Sequence, residues 1–283
     1  MTLIAAFWCA GNQAVLCADS EEFCGDYKTS VTKIKPQELA SGLYQYAFGG
    51  SGFGDLVDKL SEMLEDALNA CREQTEVGLQ HEIENTLVRF YGSAPVVAYP
   101  HDPADANSYV SGVVCIRVVP TSTIFLFKFS KTIVLPVRDF VLRGLEVPIY
   151  QHIAARLYHD MLLPLHAQLI GLRLLSEAKS TSTIVDGPFT TIFAMTPGMF
   201  ALDRNTDLYV TALGNVQHAM DDLLLTCADT HAVSDAEARD RLKAFRRTII
   251  ELRRDHHRSL QREFEKEMRE IMPSVSRRSK RVR

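Results

Sequence analysis

The pattern of apolar and polar residues at the start of the chain predicts short strands. Two apolar runs, residues 2–7 and 14–20, flank the tight-turn signal Gly11-Asn12 and indicate a β-hairpin. A third run at residues 31–34 is rich in β-branched side chains. A hairpin followed by a third strand would bring Asp19 and Lys33 back beside Thr2.

Helical spacing and strand-like runs then follow one another up to about residue 210. The apolar periodicity predicts four helices, and runs of β-branched and aromatic residues predict five strands. The predicted helices are 55–71, 79–90, 148–159 and 164–179, and the predicted strands are 110–119, 123–129, 132–137, 189–195 and 200–210. Helices that flank stacked sheets, an α+β fold, are the expected arrangement of these elements.

The C-terminal part carries a different pattern. Ser234 and Glu237 form a capping box, which predicts a helix from there to about residue 272, just before Pro273. Apolar residues step along this helix by three and four, and resume after His256-His257: Ala238, Leu242, Phe245, Ile249, Leu252, Leu260, Phe264, Met268 and Ile271. Such a seam indicates a partner surface, either the body of the same chain or a neighbouring subunit.

Charge separates this segment from the rest of the chain. Residues 234–283 hold sixteen Lys or Arg and nine acidic residues, net +7, whereas the whole chain carries −4. The segment and the acidic body are therefore expected to attract each other within or between subunits. The last residues, 277–283, read as a disordered basic tail that would suit nucleic acid or anionic lipid. No aromatic interleaving or recognised nucleic-acid module accompanies it, so an assembly or solubility role is favoured.

Composition is typical of a globular protein. The 283 residues are 46% hydrophobic, enough for one large core, and no apolar run approaches the ~20 residues that span a bilayer. The start lacks the basic segment of a signal peptide, so a cytoplasmic location is predicted. The cysteines show no CxxC pairing, and Cys9, Cys17 and Cys115 lie in strand-like runs, so reduced core residues are expected. The scattered histidines predict no metal site.

Thr2 is the residue with the most informative chemistry. A threonine hydroxyl is a weak nucleophile, but a free α-amine titrates near pKa ~8 and can take the hydroxyl proton when both groups belong to one residue. Methionine aminopeptidases act when the second residue is small, so removal of Met1 would expose Thr2 as the N-terminal residue.

The order Thr2, Ala18-Asp19, Gly25 and Lys33-Ile34 resembles the proteasome β-subunit and HslV-type peptidases of the N-terminal-nucleophile hydrolase superfamily, over roughly residues 2–200. The resemblance implies that Thr2 is the nucleophile. It also implies that Lys33 lowers the proton affinity of the amine and that Asp19 holds Lys33 in place. A nearby cation disfavours a protonated amine, and a carboxylate in hydrogen-bond reach orients a lysine.

The glycine-rich block at residues 46–55 is similar to the family's turn before its first long helix. In the family a backbone N–H from this turn forms the oxyanion hole, and glycines expose such amides. Gly49, Gly50 and Ser51 are all candidate donors, and we select Gly50. A phosphate-binding loop is disfavoured because no Lys-Ser/Thr follows.

The chain departs from the family at three places. The stretch from Gly25 to Lys33 is two residues shorter than the usual loop, so specificity is not readable. Gly144-Leu145-Glu146 stands where the family has Gly-Ser-Gly, which removes a supporting hydroxyl. Glu177 and Ser180 stand where the family has Asp-x-x-Ser-Gly, and they would be the supporting residues. The extra methylene of Glu177 shifts its carboxylate by about an ångström, an error that is costly in catalysis.

The resemblance implies a fold and a domain organisation. It implies a four-layer αββα sandwich of the N-terminal-nucleophile hydrolase type, with a long C-terminal helical extension. The predicted domains are a proteasome-like domain (1–212), a helical extension (213–272) and a basic disordered tail (273–283).

The leading functional hypothesis is a cytoplasmic threonine-type endopeptidase of a self-compartmentalising homo-oligomeric ring. It would act on peptides or unfolded proteins without a cofactor, and an ATPase unfoldase is a partner that the resemblance allows. One alternative is a catalytically inactive structural subunit of a proteasome-like assembly, which the departures at Leu145 and Glu177 favour. Another alternative is a hydrolase of the same superfamily acting on a small amide.

Overall fold

The computed structural model describes residues 2–24, 27–93, 110–144, 147–181, 185, 189–195, 198–202, 214, 216, 220, 223–224 and 234–271. The chain divides into two compact units, Met1–Asp207 and Leu208–Arg283. The elements of the first unit are β1 (Leu3–Cys9), β2 (Gln13–Ala18), β3 (Glu21–Cys24), β4 (Tyr27–Ser30), β5 (Lys35–Glu38), β6 (Tyr44–Ser51), α1 (Gly54–Ala70), α2 (Glu76–Tyr91), β7 (Ser111–Val118), β8 (Thr123–Ser130), β9 (Ile133–Pro136), β10 (Phe140–Gly144), α3 (Val147–Leu157), α4 (Pro164–Thr181), β11 (Thr190–Ala194) and β12 (Met199–Leu202).

Two five-stranded antiparallel sheets form the first unit, which is therefore an α+β fold, as predicted. The first sheet has the order β10-β1-β2-β11-β12, and the second has the order β5-β6-β7-β8-β9. The β3-β4 hairpin lies between β2 and β5 in the chain and forms a separate two-stranded sheet. Because Glu21 pairs with Ser30 in this hairpin, the residues on either side of it are brought back together.

Three packing contacts hold the first unit together. One apolar cluster joins the second sheet to α1 and α2, and it includes Tyr44, Leu60 and Phe90. Another joins residues of both sheets, such as Ile4 and Val113. Helix α4 packs against β1 and β2. Gly171 allows this close approach, since a Cβ there would stand 2.5 Å from the Cys17 sulfur.

Four thiols of the first unit are buried within this packing. Cys9, Cys17, Cys71 and Cys115 are free cysteines, which confirms the predicted core position of Cys9, Cys17 and Cys115. Burial raises the pKa of the Cys9 and Cys17 thiols to about 12. They therefore stay protonated and unreactive at neutral pH.

Two sequence-based assignments in the first unit were wrong, and a strand beside Thr2 was missed. Residues 31–34 are not a strand, because the β3-β4 hairpin takes up the preceding segment and the next strand begins only at Lys35. The glycine-rich block is largely strand rather than turn, since β6 runs through Gly49 and Gly50 to Ser51. Strand β10 was not predicted, although its pairing with β1 places it directly beside Thr2.

The second unit contains helix α5 (Asp235–Ile271). The predicted capping residue is confirmed, since the Ser234 hydroxyl accepts the Glu237 N–H at 3.3 Å. The domain boundaries predicted after residues 212 and 272 fall outside the described residues. None of the helices that the structure describes is long and apolar enough to cross a membrane.

Candidate active site

Thr2 lies just before β1 and is buried, with 4% of its surface exposed. Its hydroxyl donates to Asp19 Oδ1 at 2.5 Å. The antiparallel register accounts for this contact. Ile4 pairs with Ala18, so Asp19 lies beside Leu3, the residue that follows Thr2. The hairpin predicted from the turn at Gly11 thus brings Thr2 and Asp19 together.

Asp19 is the centre of the site. Its side chain is fully buried, and Oδ1 accepts the Leu3 N–H at 2.8 Å in addition to the Thr2 hydroxyl. Its other oxygen, Oδ2, accepts from Lys33 Nζ at 2.8 Å. A buried carboxylate is costly unless it is paired and hydrogen-bonded, and these three donors meet that requirement.

Lys33 reaches Asp19 from the segment between β4 and β5. The Val31 N–H donates to the Ser20 carbonyl at 2.7 Å, which continues the hairpin register and sets residues 31–33 beside the end of β2. The Lys33 side chain is only 10% exposed. The sequence therefore predicted the right neighbours for Thr2, but the β3-β4 hairpin produces this proximity rather than a third strand.

A cavity of about 270 Å³ opens beside Thr2. Its walls come from the segment around Lys33 and β5, from the end of β6, and from the first turns of α1. The lining residues are Thr2, Val31, Thr32, Lys33, Lys35, Gln37, Phe48, Gly50, Ser51, Gly52, Gly54, Val57, Asp58 and Ser61. Thr2 thus lies at the wall of a space that accommodates a side chain or a small molecule.

Gly50 lies at this cavity on the open edge of β6. The Leu39 N–H donates to the Tyr44 carbonyl, so the backbone N–H and C=O of Tyr44 point toward the β5 side of β6. The same groups of every second residue after Tyr44, including Gly50, point to that side. The last paired residues of the two strands are Lys35 and Phe48, so the Gly50 amide lies beyond the end of β5, on the side of Lys33. A Cβ at Gly50 would stand 2.6 Å from the Val57 side chain, so any larger residue would have to displace that side chain.

Gly144 fixes the backbone of Thr2 from the other side. It pairs with Leu3 and has a φ of +115°, and a Cβ there would stand 1.7 Å from the Thr2 carbonyl oxygen. Both the backbone conformation and the contact require glycine. The sequence marked Gly144 only as part of a departure from the family, because its contact with Thr2 depends on the unpredicted strand β10.

Gly144→Ala is expected to lower the free energy of unfolding by at least about 2 kcal/mol, since it adds a clash to backbone strain. Gly42→Ala is the matched control. Gly42 also has a positive φ, +66°, but nothing lies within 4 Å of its Cβ position. Urea denaturation of the two variants measures the difference, and equal losses would contradict the tight contact at Thr2.

Glu177 and Ser180 lie near the end of α4 and are exposed. The Ser180 hydroxyl donates to the Glu177 carbonyl at 2.8 Å. The Thr181 hydroxyl donates to the same carbonyl and also forms a hydrogen bond with the Tyr150 hydroxyl. Neither predicted supporting residue lines the cavity, and their support of Thr2 stays a prediction. Gly25, Leu145 and Glu146, also used in the sequence comparison, lie outside the described residues.

Sequence reasoning missed most of the cavity wall. Lys35 and Gln37 alternate with Ile34 and Pro36, so they share the Lys33 side of this segment. Val57, Asp58 and Ser61 follow Gly54 at helical spacing on one face of α1. Both periodicities are visible in the sequence, but only the packing of α1 beside the end of β5 shows that they face one cavity.

Comparison with solved structures identifies the fold. Anbu (ancestral beta-subunit) from Yersinia bercovieri matches with a TM-score of 0.63 and 10% identity over 82% of this chain and 99% of that one. Anbu from Hyphomicrobium sp. strain MC1 matches with a TM-score of 0.60 and 13% identity, over 82% and 99%. The helical assembly of the Anbu complex from Pseudomonas aeruginosa gives 0.61 and 12%, over 83% and 99%. No protein-family model and no curated protein sequence matches the chain.

These neighbours correct the assignment made from the sequence. The proteasome β-subunit and HslV-type peptidase family was the wrong assignment, because the similar structures are Anbu proteins. A few spaced residues around Thr2 did not distinguish between proteins that share a fold. The chain has the fold of these Anbu proteins.

Proposed function

We propose that the chain is a threonine-type endopeptidase in which Thr2, after removal of Met1, is the nucleophile. One observation carries the proposal. The buried Asp19 carboxylate joins the Thr2 hydroxyl to the Lys33 ammonium at the wall of a cavity. A buried hydroxyl, carboxylate and lysine in contact, with an accessible space beside them, are the parts that nucleophilic catalysis needs.

Removal of Met1 supplies the base. The α-amine of Thr2 then takes the proton from the Thr2 Oγ1 while that oxygen forms a bond to the carbonyl carbon of the substrate. The tetrahedral intermediate collapses, the C–N bond breaks, and the departing amine receives the proton from the Thr2 amine. A water molecule then attacks the resulting ester, and hydrolysis releases the acid and regenerates Thr2.

Lys33 and Asp19 prepare the amine and the hydroxyl. The Lys33 cation is held 2.8 Å from Asp19 and lies close to Thr2, where it disfavours protonation of the amine. Asp19 also fixes the Thr2 side chain and, through the Leu3 N–H, the backbone that follows it. Both are therefore positioning residues for Thr2.

The Gly50 amide is the proposed oxyanion donor. Its position at the open edge of β6, lining the cavity with Thr2, supports this role. A fixed backbone N–H aimed at a developing oxyanion is worth about 3 kcal/mol of transition-state stabilisation. The Val57 side chain lies where a Cβ at Gly50 would stand, so α1 packs closely against this part of β6.

The proposed substrates are peptides or unfolded proteins, and the proposed active form is a homo-oligomer. The assembly proposal is supported by the neighbour from Pseudomonas aeruginosa, whose structure is that of a helical assembly. We also propose that the first unit is a four-layer αββα sandwich. The contacts of α1 and α2 with the second sheet, of α4 with β1 and β2, and of the two sheets with each other support that arrangement.

A non-catalytic structural subunit is the second candidate function. The exposed positions of Glu177 and Ser180, away from the cavity lining, favour it, because they leave Thr2 without the supporting side chains expected from the sequence. On this alternative the Thr2–Asp19–Lys33 contacts only anchor the start of β1.

Insertion of one alanine between Met1 and Thr2 tests the proposal. The inserted chain keeps every side chain of the site, but after Met1 removal its free amine belongs to the alanine. Cleavage of an unstructured peptide, followed by mass spectrometry, should be lost in this variant and present in the wild-type chain. Equal cleavage by both chains would exclude the terminal amine as the base, and parallel assays with a small amide distinguish the substrate classes.

A further inference from the structure

The outer face of α1 and α2 is acidic and carries exposed valines. Residues 54–93 hold nine acidic residues and three Lys or Arg, net −6. On α1, Glu62 and Asp66 are one helical turn apart and both are exposed. Glu62 also pairs with Lys59 on the same helix at 3.1 Å, but its side chain is 69% exposed and stays accessible to a second cation. On α2, Val77 and Val88 are 77% and 58% exposed. A helix pair that exposes both apolar side chains and carboxylates suits a basic, apolar partner.

Helix α5 has the complementary character. Residues 239–254 hold seven Lys or Arg and two acidic residues, net +5. Its stripe of Ala238, Leu242, Phe245 and Ile249 is not fully buried at any position, and Leu242 is 55% exposed. The stripe therefore keeps exposed apolar surface, chiefly at Leu242.

The charges beside the stripe decide what kind of partner fits. Arg239 and Arg246 follow Ala238 and Phe245 directly, so they flank the stripe. Arg241 and Lys243 already pair with Glu237 and Asp240 on the same helix, whereas no ion pair of Arg239 or Arg246 is found among the described residues. Pairing of two α5 helices would place the arginines of one helix near those of the other, and like charges repel. An acidic partner is therefore favoured over a second α5.

The apolar positions of the two surfaces are equally spaced. Ala238 and Ile249 are eleven residues apart, as are Val77 and Val88, and each pair spans about 16 Å at 1.5 Å per residue. We propose that α5 of one copy docks on the acidic α1–α2 face of a second copy, with Arg239 and Arg246 facing Glu62 and Asp66. This proposal rests on the proposed homo-oligomer but not on the chemistry of Thr2.

Charge reversal on the full chain tests the docking. One variant carries Arg239→Glu and Arg246→Glu, and the other carries Glu62→Lys and Asp66→Lys. Light scattering after size exclusion, at low and high salt, measures the mass of each variant, of their mixture and of the fourfold variant. Circular dichroism melting serves as the folding control, since all four side chains are exposed.

We expect the wild-type chain to assemble. In each double variant the dissociation constant of the assembly should rise at least tenfold. The mixture should recover assembly, because each variant then meets the opposite charge on the other, and the fourfold variant should recover it alone. Assembly that survives in both double variants would overturn this docking but leave the proposed homo-oligomer intact. A wild-type chain that stays single at all concentrations would overturn both. Recovery by the fourfold variant without recovery by the mixture would place the contact within one chain and overturn docking on a second copy.

Discussion

Replacing Thr2 by alanine is expected to lower kcat for peptide cleavage by at least about 1,000-fold. The substitution removes the attacking oxygen and leaves the Asp19 carboxylate bonded to Leu3 and Lys33. Substrate binding in the cavity should change little, so KM should stay within about threefold. Steady-state kinetics on a peptide substrate measures both constants.

Thr2→Ser is the matched control for this prediction. Serine keeps an N-terminal amine and a hydroxyl that can donate to Asp19, and it loses only the methyl group. Its kcat should remain within about a hundredfold of the wild-type value, well above that of the alanine variant. If alanine and wild-type chains cleave at the same rate, Thr2 is not the nucleophile.

Asp19→Asn is expected to reduce both stability and cleavage. It leaves the Lys33 ammonium largely buried without its counter-ion, and breaking a buried pair in this way costs about 3 kcal/mol. Cleavage should fall by at least about 100-fold, because Thr2 and Lys33 lose their common anchor. Urea denaturation and peptide kinetics give the two values.

An exposed ion pair provides the control for stability. Glu82→Gln breaks the pair with Arg89, whose side chain is 59% exposed, and should change the free energy of unfolding by less than about 0.5 kcal/mol. The double variant Asp19→Asn with Lys33→Met removes both buried charges and should recover much of the stability without recovering cleavage. Recovery of both would show that the pair has no part in the chemistry.

The sequence predicted the helices and the buried strands well, because their patterns are local. Buried apolar residues at helical spacing define α1 and α2, and β-branched and aromatic runs define β7 and β8. Strand β10 was missed because it is five residues long, ends in Arg143 and Gly144, and is stabilised by its pairing with β1 far away in the sequence. Such non-local pairing leaves little signal in the strand itself.

The candidate site was predictable in part for the same reason. The turn at Gly11 makes Thr2 and Asp19 neighbours through a hairpin, a local event that the sequence indicates. The contact between Gly144 and Thr2, and the cavity wall formed by Gln37 and Ser61, depend on packing between distant elements. No pattern within one segment reports that packing.

The central claim is that Thr2 becomes an N-terminal nucleophile, and intact mass with and without an epoxyketone tests it most directly. An epoxyketone needs both the amine and the hydroxyl of one N-terminal threonine to form its stable adduct. We expect loss of Met1 and one adduct on Thr2, with no adduct on the Thr2→Ala chain. A purified protein that retains Met1 and takes up no probe would contradict it.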